Sequence, residues 1–207
     1  MQPKLTVAVV VLAFALMLSA CGGHRGKSGA STPEAAITGF SDKPSRVDAS
    51  FGNVTDQLLR DRAGLRSAAL AHFSDSDSNT RYAALYALAL AGKGPESTRA
   101  LTSALASSDE DRRILAGMAL IGAGVKASIP VLIAELASGH RVAFGEPPVE
   151  AWEAVRPNLL RYTHQDFGLR RARTPHDARL TSGAWRRWWS LHGASLRWSI
   201  QKGSYVG

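Results

Sequence analysis

The chain has 207 residues, a formal net charge of +8 and a predicted pI near 10.1, and 45% of its residues are hydrophobic. This length suits one modest globular domain plus a tail, and the apolar content excludes a wholly disordered chain. Because the chain has a single cysteine, it can form no internal disulfide and offers no thiol cluster for zinc or an iron-sulfur centre.

Residues 1–20 form a hydrophobic targeting segment. Lys4 is followed by an apolar run from Leu5 to Leu18 that only Thr6 interrupts. The run is shorter than the roughly 20 residues needed to span a bilayer, but it matches the core of a secretory signal. We therefore predict that residues 1–20 are a signal peptide.

The tetrad Leu18-Ser19-Ala20-Cys21, followed by two glycines, resembles the lipobox of bacterial lipoproteins. The resemblance implies cleavage before Cys21 and its acylation with fatty acids such as palmitate. The protein would then be a lipid-anchored membrane protein on the extracytoplasmic side of the bacterial cell envelope. Residue 22 is Gly rather than Asp, which in that family favours the outer membrane of a Gram-negative host. The alternative is an ordinary secretory signal in which the cysteine is incidental.

Residues 21–50 are expected to be the lipidated cysteine and a flexible tether. The segment is rich in Gly, Ser and Pro, and its apolar residues show no helical period. A flexible coil of this length spans on the order of 30 Å, enough to hold a domain clear of the lipid head groups. Within it, Thr32-Pro33-Glu34 could cap one short helix ending near Phe40.

A repeat with a spacing of 32 residues begins at Asp77. The pattern Asp77-x3-Arg81-x2-Ala-x2-Ala-Leu-x2-Ala-Gly92 recurs, position for position, as Asp109-x3-Arg113 and onward to Gly124. The apolar spacing of three, four and seven predicts one helical face, and its alanines allow a neighbouring helix to approach closely. Asp at the start and Gly at the end are typical helix boundaries.

A second helix is predicted after each of these. Ala100, Leu101, Ala104 and Leu105 form an apolar stripe after Gly94-Pro95-Glu96, and Val131, Leu132 and Leu136 occupy the corresponding places 31 residues later. The register extends less cleanly backwards to an earlier unit from about Thr55 to Asp75.

Helical pairs that cannot bury their apolar faces alone are typical of a helical solenoid. The repeats resemble short bacterial HEAT repeats, and we assign residues 51–137 to them. The implied fold is all-α: a short right-handed α-α superhelix of HEAT-like hairpins, an armadillo-type fold. The resemblance also implies that Asp77, Arg81, Asp109 and Arg113 are structural, capping helices and bridging repeats.

The pattern stops at residues 138–150, whose glycines and prolines predict an inserted loop. Loops of this length on a compact scaffold are often functional, so His140, Arg141 and Phe144 are candidate partner-binding residues.

From residue 151 to 207 we expect a final helical unit and a basic cap. Trp152, Val155, Leu159 and Leu160 form its first stripe, in which Pro157 either kinks the helix or begins a new one.

The segment Tyr162-Thr163-His164-Gln165-Asp166-Phe167-Gly168, with Trp185, Trp188 and Trp189, resembles the closing segment of many bacterial HEAT-repeat proteins. The resemblance implies that Asp166 caps a helix while Phe167 and the tryptophans pack. His164 stands where that family usually has glycine.

The whole net charge lies in the last quarter of the chain, where ten Lys or Arg face two acids from Arg156 onward. Candidate anion-binding residues are Arg170, Arg171, Arg173, Arg186 and Arg187. Arginines among aromatic residues can bind anionic lipid, an acidic polymer or an acidic protein. The alternative is a tryptophan core with a solvated arginine rim.

The resulting hypothesis is a non-catalytic protein-interaction scaffold, anchored in the envelope by lipid, whose partner is an unidentified envelope protein. A second hypothesis is a binder of anionic lipid or acidic envelope polymer through the Trp/Arg-rich C-terminus. A lyase-like enzyme is a third, drawn from some HEAT-like proteins and supported by no residue pattern. We expect no catalytic residues, metal, cofactor or nucleic-acid partner.

Overall fold

A computed structural model describes residues 32–207 of the chain, except for 42, 44–46, 93 and 143–148. The predicted signal peptide and Cys21 therefore lie outside the described residues. The described chain is mostly helical, and the predicted all-α fold is confirmed. Its described residues divide into two compact units, the first ending at Ala91 and the second beginning at Gly92.

The described part of the first unit contains α1 (Pro33–Thr38), α2 (Val47–Arg60), α3 (Arg62–Ala71) and α4 (Ser78–Ala91). Helix α1 packs against the other three, and α3 packs along α4. Asp61 separates α2 from α3, because its side chain accepts the N–H of Gly64 at 2.8 Å and so begins a new helix. The fully buried core of this unit includes Ile37, Val54, Leu65, Leu85 and Leu88.

Residues 33–38 and 47–50, which lie in the segment predicted to be a flexible tether, are helical. Thr32 accepts the N–H of Ala35 at 3.1 Å and caps α1, and Pro33 occupies the first turn. Burial of Ala36, Ile37 and Phe40 docks this short helix onto the unit. A six-residue helix is too short to be stable alone, so tertiary packing decides its structure.

An aromatic cluster completes the first unit. The rings of Phe40 and Phe51 lie 5.1 Å apart, edge to face, and Phe51 lies 4.8 Å from Tyr86 in the same geometry. Burial raises the pKa of Tyr86 to about 12, which keeps its phenol neutral over the physiological range. Edge-to-face contacts are the preferred arrangement of aromatic rings, so the cluster ties the start of the unit to α4.

The second unit has five helices and two small sheets in its described part. The elements are α5 (Pro95–Ala104), α6 (Glu110–Gly122), α7 (Ser128–Glu135), β1 (Arg141–Val142), β2 (Val149–Glu150), α8 (Ala151–Thr163), a 3-10 turn (Leu169–Arg171), α9 (Pro175–His192), β3 (Arg197–Ser199) and β4 (Ser204–Val206). Helix α6 packs against α5, α7 and α8, and α9 packs against α7.

Helix α6 approaches α7 closely at a glycine. A Cβ built on Gly117 would lie 2.7 Å from Cδ2 and 3.1 Å from Cγ of Leu132, which is fully buried. The two helices therefore meet at a distance that only glycine permits at this position.

Pro157 lies inside α8, which is one continuous helix from Ala151 to Thr163. Proline removes a backbone donor, and the carbonyl that would receive it belongs to Glu153. Both residues are exposed, so water can satisfy that carbonyl.

The segments that lack helical signals form short antiparallel strand pairs. In the predicted loop 138–150, Arg141 pairs with Glu150 and Val142 with Val149. At the C-terminus β3 pairs with β4, which the sequence did not predict. Trp198 on β3 contacts Tyr205 and Tyr162, with ring centroids 5.1 and 6.0 Å away. This packing holds the hairpin on α8.

Candidate functional site

The two aspartates of the repeat cap their helices. Asp77 accepts the N–H of Thr80 at 2.7 Å, and Asp109 accepts the N–H of Arg112 at 3.2 Å. The backbone donor of Thr80 lowers the pKa of Asp77 below its ordinary value of 3.8. Both carboxylates thus stabilise a helix start.

The two arginines of the repeat make matching contacts with the turn that precedes their helix. Nη1 of Arg81 donates to the carbonyls of Asp75 and Ser76 at 2.7 and 2.6 Å. Nη1 of Arg113 donates to the carbonyls of Ser107 and Ser108 at 2.8 and 3.1 Å. Each arginine therefore braces the carbonyls six and five residues before it.

Arg113 has a further role that its counterpart lacks. Its Nη2 lies 3.3 Å from Oε1 of Glu135 and 3.5 Å from Oε1 of Glu110. Glu135 is 4% exposed, and its Oε2 has no hydrogen-bond partner among the described residues. Burying a carboxylate without a charged partner is unfavourable. The guanidinium of Arg113 therefore stabilises the buried carboxylate of Glu135 at the end of α7.

The two loop candidates within the described residues, His140 and Arg141, lie close to carboxylates. Nδ1 of His140 lies 3.0 Å from Glu110, and its Nε2 lies 2.7 Å from Asp111. Arg141 lies 3.6 Å from Glu150 across the strand pair. Phe144 lies outside the described residues. The sequence did not predict Glu110, Asp111 or Glu135 as partners, because contacts 22 to 30 residues apart leave no local pattern.

The predicted closing segment packs as an aromatic cluster. Phe167 lies edge to face with Trp185, with centroids 5.2 Å apart, and Trp185 lies edge to face with Trp188 at 5.7 Å. Trp185 is fully buried and Trp188 is 9% exposed, whereas Trp189 is half-buried. The first two tryptophans are therefore core residues.

The turn before this cluster keeps the left-handed geometry that glycine usually provides. His164 has φ 57° and ψ 18° at the end of α8, and its Nε2 lies 2.8 Å from Oγ of Ser204 on β4. That contact offsets part of the backbone cost of a side chain in this conformation. Asp166 accepts the N–H of Arg170 at 2.7 Å and so caps the 3-10 turn.

The five predicted anion-binding arginines are all exposed. They are Arg170, Arg171 and Arg173, around the 3-10 turn, and Arg186 and Arg187, on α9. Across the described part of the chain, no carboxylate lies within 4.0 Å of their guanidinium groups. The two neighbouring acids, Asp166 and Asp177, accept backbone N–H groups instead.

Other cations of the last quarter are used structurally. Arg156 lies over the ring of Trp152, 5.0 Å from its centroid, and donates to the carbonyl of Ala172 at 3.1 Å. Arg197 donates to the carbonyls of Ala194 and Leu196. Contacts of this kind distinguish Arg156 and Arg197 from the five predicted anion-binding arginines, a distinction invisible in the sequence.

A second histidine cluster lies in the first unit and was not predicted. His72 lies between Asp75, whose Oδ2 is 2.8 Å from Nδ1, and Glu34 on α1, which contacts Nε2. The hydrogen bond with Asp75 is the largest cause that raises the pKa of His72, and the bond with Glu34 adds to it. The cluster links α1 to the end of α3.

A cleft of about 360 Å³ opens beside this cluster, between α1 and α3. Glu34 is its charged side chain, and small or apolar residues make up the rest of its lining: Thr32, Pro33, Gly64, Ser67, Ala68 and Ala71. Such a lining offers little for orienting a polar ligand.

No group of three or more His, Cys, Asp or Glu side chains within the described residues is arranged to hold a metal ion. Among the helices described, none is both long and apolar enough to cross a membrane.

Comparison of the chain with protein-family models, curated proteins and solved structures finds no match. The class that the structure itself defines is an all-α protein of paired helices with an arginine-rich C-terminal surface.

Proposed function

We propose that this protein is a non-catalytic binding protein, anchored by lipid in the bacterial cell envelope, that holds an envelope protein through a short HEAT-like helical scaffold. The observation that carries the proposal is the pair of matching arginine braces at Arg81 and Arg113. They support a true structural repeat, since two unrelated helices have no reason to share such contacts. Repeat scaffolds present extended surfaces for binding partners.

The anchor in this proposal is Cys21, at the end of the lipobox-like tetrad. Several acyl chains on one residue give durable attachment, because each buried methylene contributes about 0.8 kcal/mol. The site of action is then the extracytoplasmic side of the membrane, and the outer membrane in a Gram-negative host.

The surface proposed for the protein partner surrounds the loop 138–150. His140 and Arg141 lie at its base, and Phe144 lies within the loop. The contacts of His140 with Glu110 and Asp111 support this surface, because they hold the base of the loop on α6.

Membrane fractionation of the wild type beside Cys21→Ser tests the anchor. We expect wild type in the membrane fraction, with its intact mass increased by acyl chains, and Cys21→Ser without that mass increase and released from the membrane. Equal distribution and unmodified mass in both would exclude lipid anchoring.

Crosslinking of the anchored protein, followed by mass spectrometry, tests the partner surface. We expect a crosslinked protein that disappears in Phe144→Ala and His140→Ala. Leu59→Ser is the matched control, because Leu59 is 80% exposed and belongs to the other unit. Retention of the crosslink in both loop variants would contradict the assignment of this surface.

A second candidate function is binding of an anionic surface, and the unpaired arginines around α9 favour it. Cations without carboxylate partners are free to bind external anions, and such binding weakens as salt screens the charges. A complex that persists unchanged from low to high salt would exclude this candidate while leaving the protein scaffold intact.

A further inference from the structure

Helix α9 has an outward face that carries both apolar and cationic side chains. Its inner face is buried through Ala178, Thr181, Ser182, Trp185 and Trp188. The opposite side carries a stripe with spacings of four, three and four residues, which places its members on one line along the helix: Leu180, Ala184, Arg187 and Leu191.

The two leucines of this stripe are among the most exposed large apolar side chains described. Leu180 is 69% exposed and Leu191 is 71% exposed, and they lie near the two ends of the helix. Single exposed leucines are ordinary, but two on one stripe of an 18-residue helix form an apolar line about three turns long.

Three exposed arginines share the outward face of α9. Arg187 lies within the stripe, and Arg179 and Arg186 lie about a quarter of a turn away on one side of it. In the described chain no carboxylate lies within 4.0 Å of these three guanidinium groups. The one acid of the helix is Asp177, whose carboxylate accepts the N–H groups of Arg173 and Thr174. The outward face is therefore cationic.

We propose that the outward face of α9 binds an anionic phospholipid bilayer, with Leu180 and Leu191 inserted among the acyl chains and the three arginines at the phosphates. This inference rests on the second candidate function and names its partner. Leucine beside arginine suits a membrane interface, because the leucine leaves water while the guanidinium extends to the head groups. An acidic polymer would pair with the arginines but leave the leucines in water.

Site-specific quenching in vesicles tests the proposal on the full chain. Leu191→Cys is labelled with an environment-sensitive fluorophore, and the protein is reconstituted in vesicles of phosphatidylglycerol and phosphatidylcholine that contain a doxyl-labelled lipid. Leu59→Cys on α2 is the matched control, because Leu59 is at least as exposed as Leu191 and belongs to the other unit. Intact mass shows that Cys21 is acylated and unlabelled.

We expect doxyl lipid to quench the label at 191 at least twofold more than the label at 59 in anionic vesicles. The difference should vanish in vesicles of phosphatidylcholine alone, and it should fall steeply with added salt. The difference in quenching should also vanish when Arg186→Glu and Arg187→Glu are both introduced. It should survive in the control variant Arg60→Glu/Arg62→Glu, which has the same net charge and changes exposed residues of the other unit.

Equal quenching at the two positions in anionic vesicles would overturn the proposal. So would a blue shift of the 191 label on addition of a soluble polyanion without quenching by anionic vesicles, which would identify an acidic polymer as the partner. Absence of acyl chains on Cys21 would refute the anchor alone, since the quenching comparison can then be made in a Cys21→Ser background, which leaves the introduced cysteine as the single thiol, with the chain added to preformed vesicles.

Discussion

Arg113 holds three parts of the second unit together. It braces the carbonyls before α6, contacts Glu110 in the first turn, and neutralises Glu135 at the end of α7. Its side chain is 23% exposed while that of Glu135 is 4% exposed, so the glutamate would suffer most from loss of the pair.

We expect Arg113→Ala to lower the free energy of unfolding by about 2 kcal/mol, because it leaves the Glu135 carboxylate and two carbonyls without their donor. The double variant Arg113→Ala/Glu135→Gln should recover part of this loss, since the unpaired charge is gone. Urea denaturation of the two single variants and the double variant measures the coupling. Arg99→Ala, on the exposed side of α5, is the control and should change stability by less than about 0.5 kcal/mol. Additive single effects would show that Arg113 and Glu135 are uncoupled.

Two helical glycines, Gly117 and Gly183, differ in the space available to a side chain. Gly117 faces Leu132 across the contact between α6 and α7, whereas a Cβ on Gly183 of α9 would meet nothing within 4 Å. We expect Gly117→Ala to destabilise the protein by about 1 kcal/mol or more through overpacking. Gly183→Ala should stabilise it by up to about 1 kcal/mol, because alanine favours the helix. Thermal denaturation should shift in opposite directions, and a gain of stability in both variants would disprove the close approach.

Helix α1 is a short element that depends on tertiary contacts for its position. Its burial of Ile37 and the contact of Glu34 with His72 hold it on the first unit. The hydrogen bond with Asp75 is the larger cause of the raised pKa of His72, and it also lowers the pKa of Asp75. The docking of α1 therefore depends on the charge of one histidine.

The pH dependence of this docking has a defined sign. The folded pKa of His72 lies above its ordinary value of 6.5, so its contribution is complete below pH 6.5 and is lost as pH rises through the folded pKa. The contribution of Asp75, whose folded pKa lies below 3.8, is complete above that pH and is lost as pH falls. The stability difference between wild type and His72→Gln should then be largest between about pH 4 and 6.5 and shrink by pH 8.5. Urea denaturation at pH 5.5 and 8.5 checks this, with exposed His176→Gln as control. An unchanged difference at the two pH values would refute it.

Helix α9 combines a structural face with a solvent face. The inner face contains Trp185 and Trp188, and the half-buried Trp189 lies at its edge. We expect Trp188→Ala to cost about 3 to 5 kcal/mol in the free energy of unfolding, as for other buried large aromatic residues, and Trp189→Ala to cost clearly less. Chemical denaturation of the two variants measures the difference, and a small effect at Trp188 would show that this ring does not support the core.

At the scale of the whole molecule, the charge is strongly polarised. Up to residue 155 the acidic and basic residues balance at fifteen each, so the last quarter holds the full net charge of +8. A field of this kind acts on anionic surfaces from a distance of about a Debye length, roughly 8 Å at physiological ionic strength.

The polarised charge predicts chromatographic behaviour that net charge alone would not. On a cation exchanger, Arg186→Glu/Arg187→Glu should elute at clearly lower salt than Arg60→Glu/Arg62→Glu, although the two variants have equal net charge. The reason is that α9 lies in the cationic quarter, whereas residues 60 and 62 lie in a balanced region. Equal elution would show that no local field of this kind exists.

Local features of this protein follow from short-range patterns in its sequence. Its apolar periodicity predicted the helices that became α4 to α8, and the Asp and Gly positions marked the boundaries of α4 and α6, because capping and amphipathicity act over a few neighbouring residues. The recurrence after 32 residues likewise predicted that Arg81 and Arg113 have equivalent roles, and their matching contacts follow from identical local spacing.

Features that depend on residues far apart in the chain became evident only in the folded structure. The docking of α1, the pairing of His140 with Asp111, the packing of Trp198 on Tyr162 and the burial of Trp185 all rest on such contacts. The tertiary structure also decided which arginines support the fold and which face solvent, because exposure depends on what the rest of the chain covers. Local spacing specifies a helix and its caps, but the side that it buries is set by the free energy of packing against distant segments.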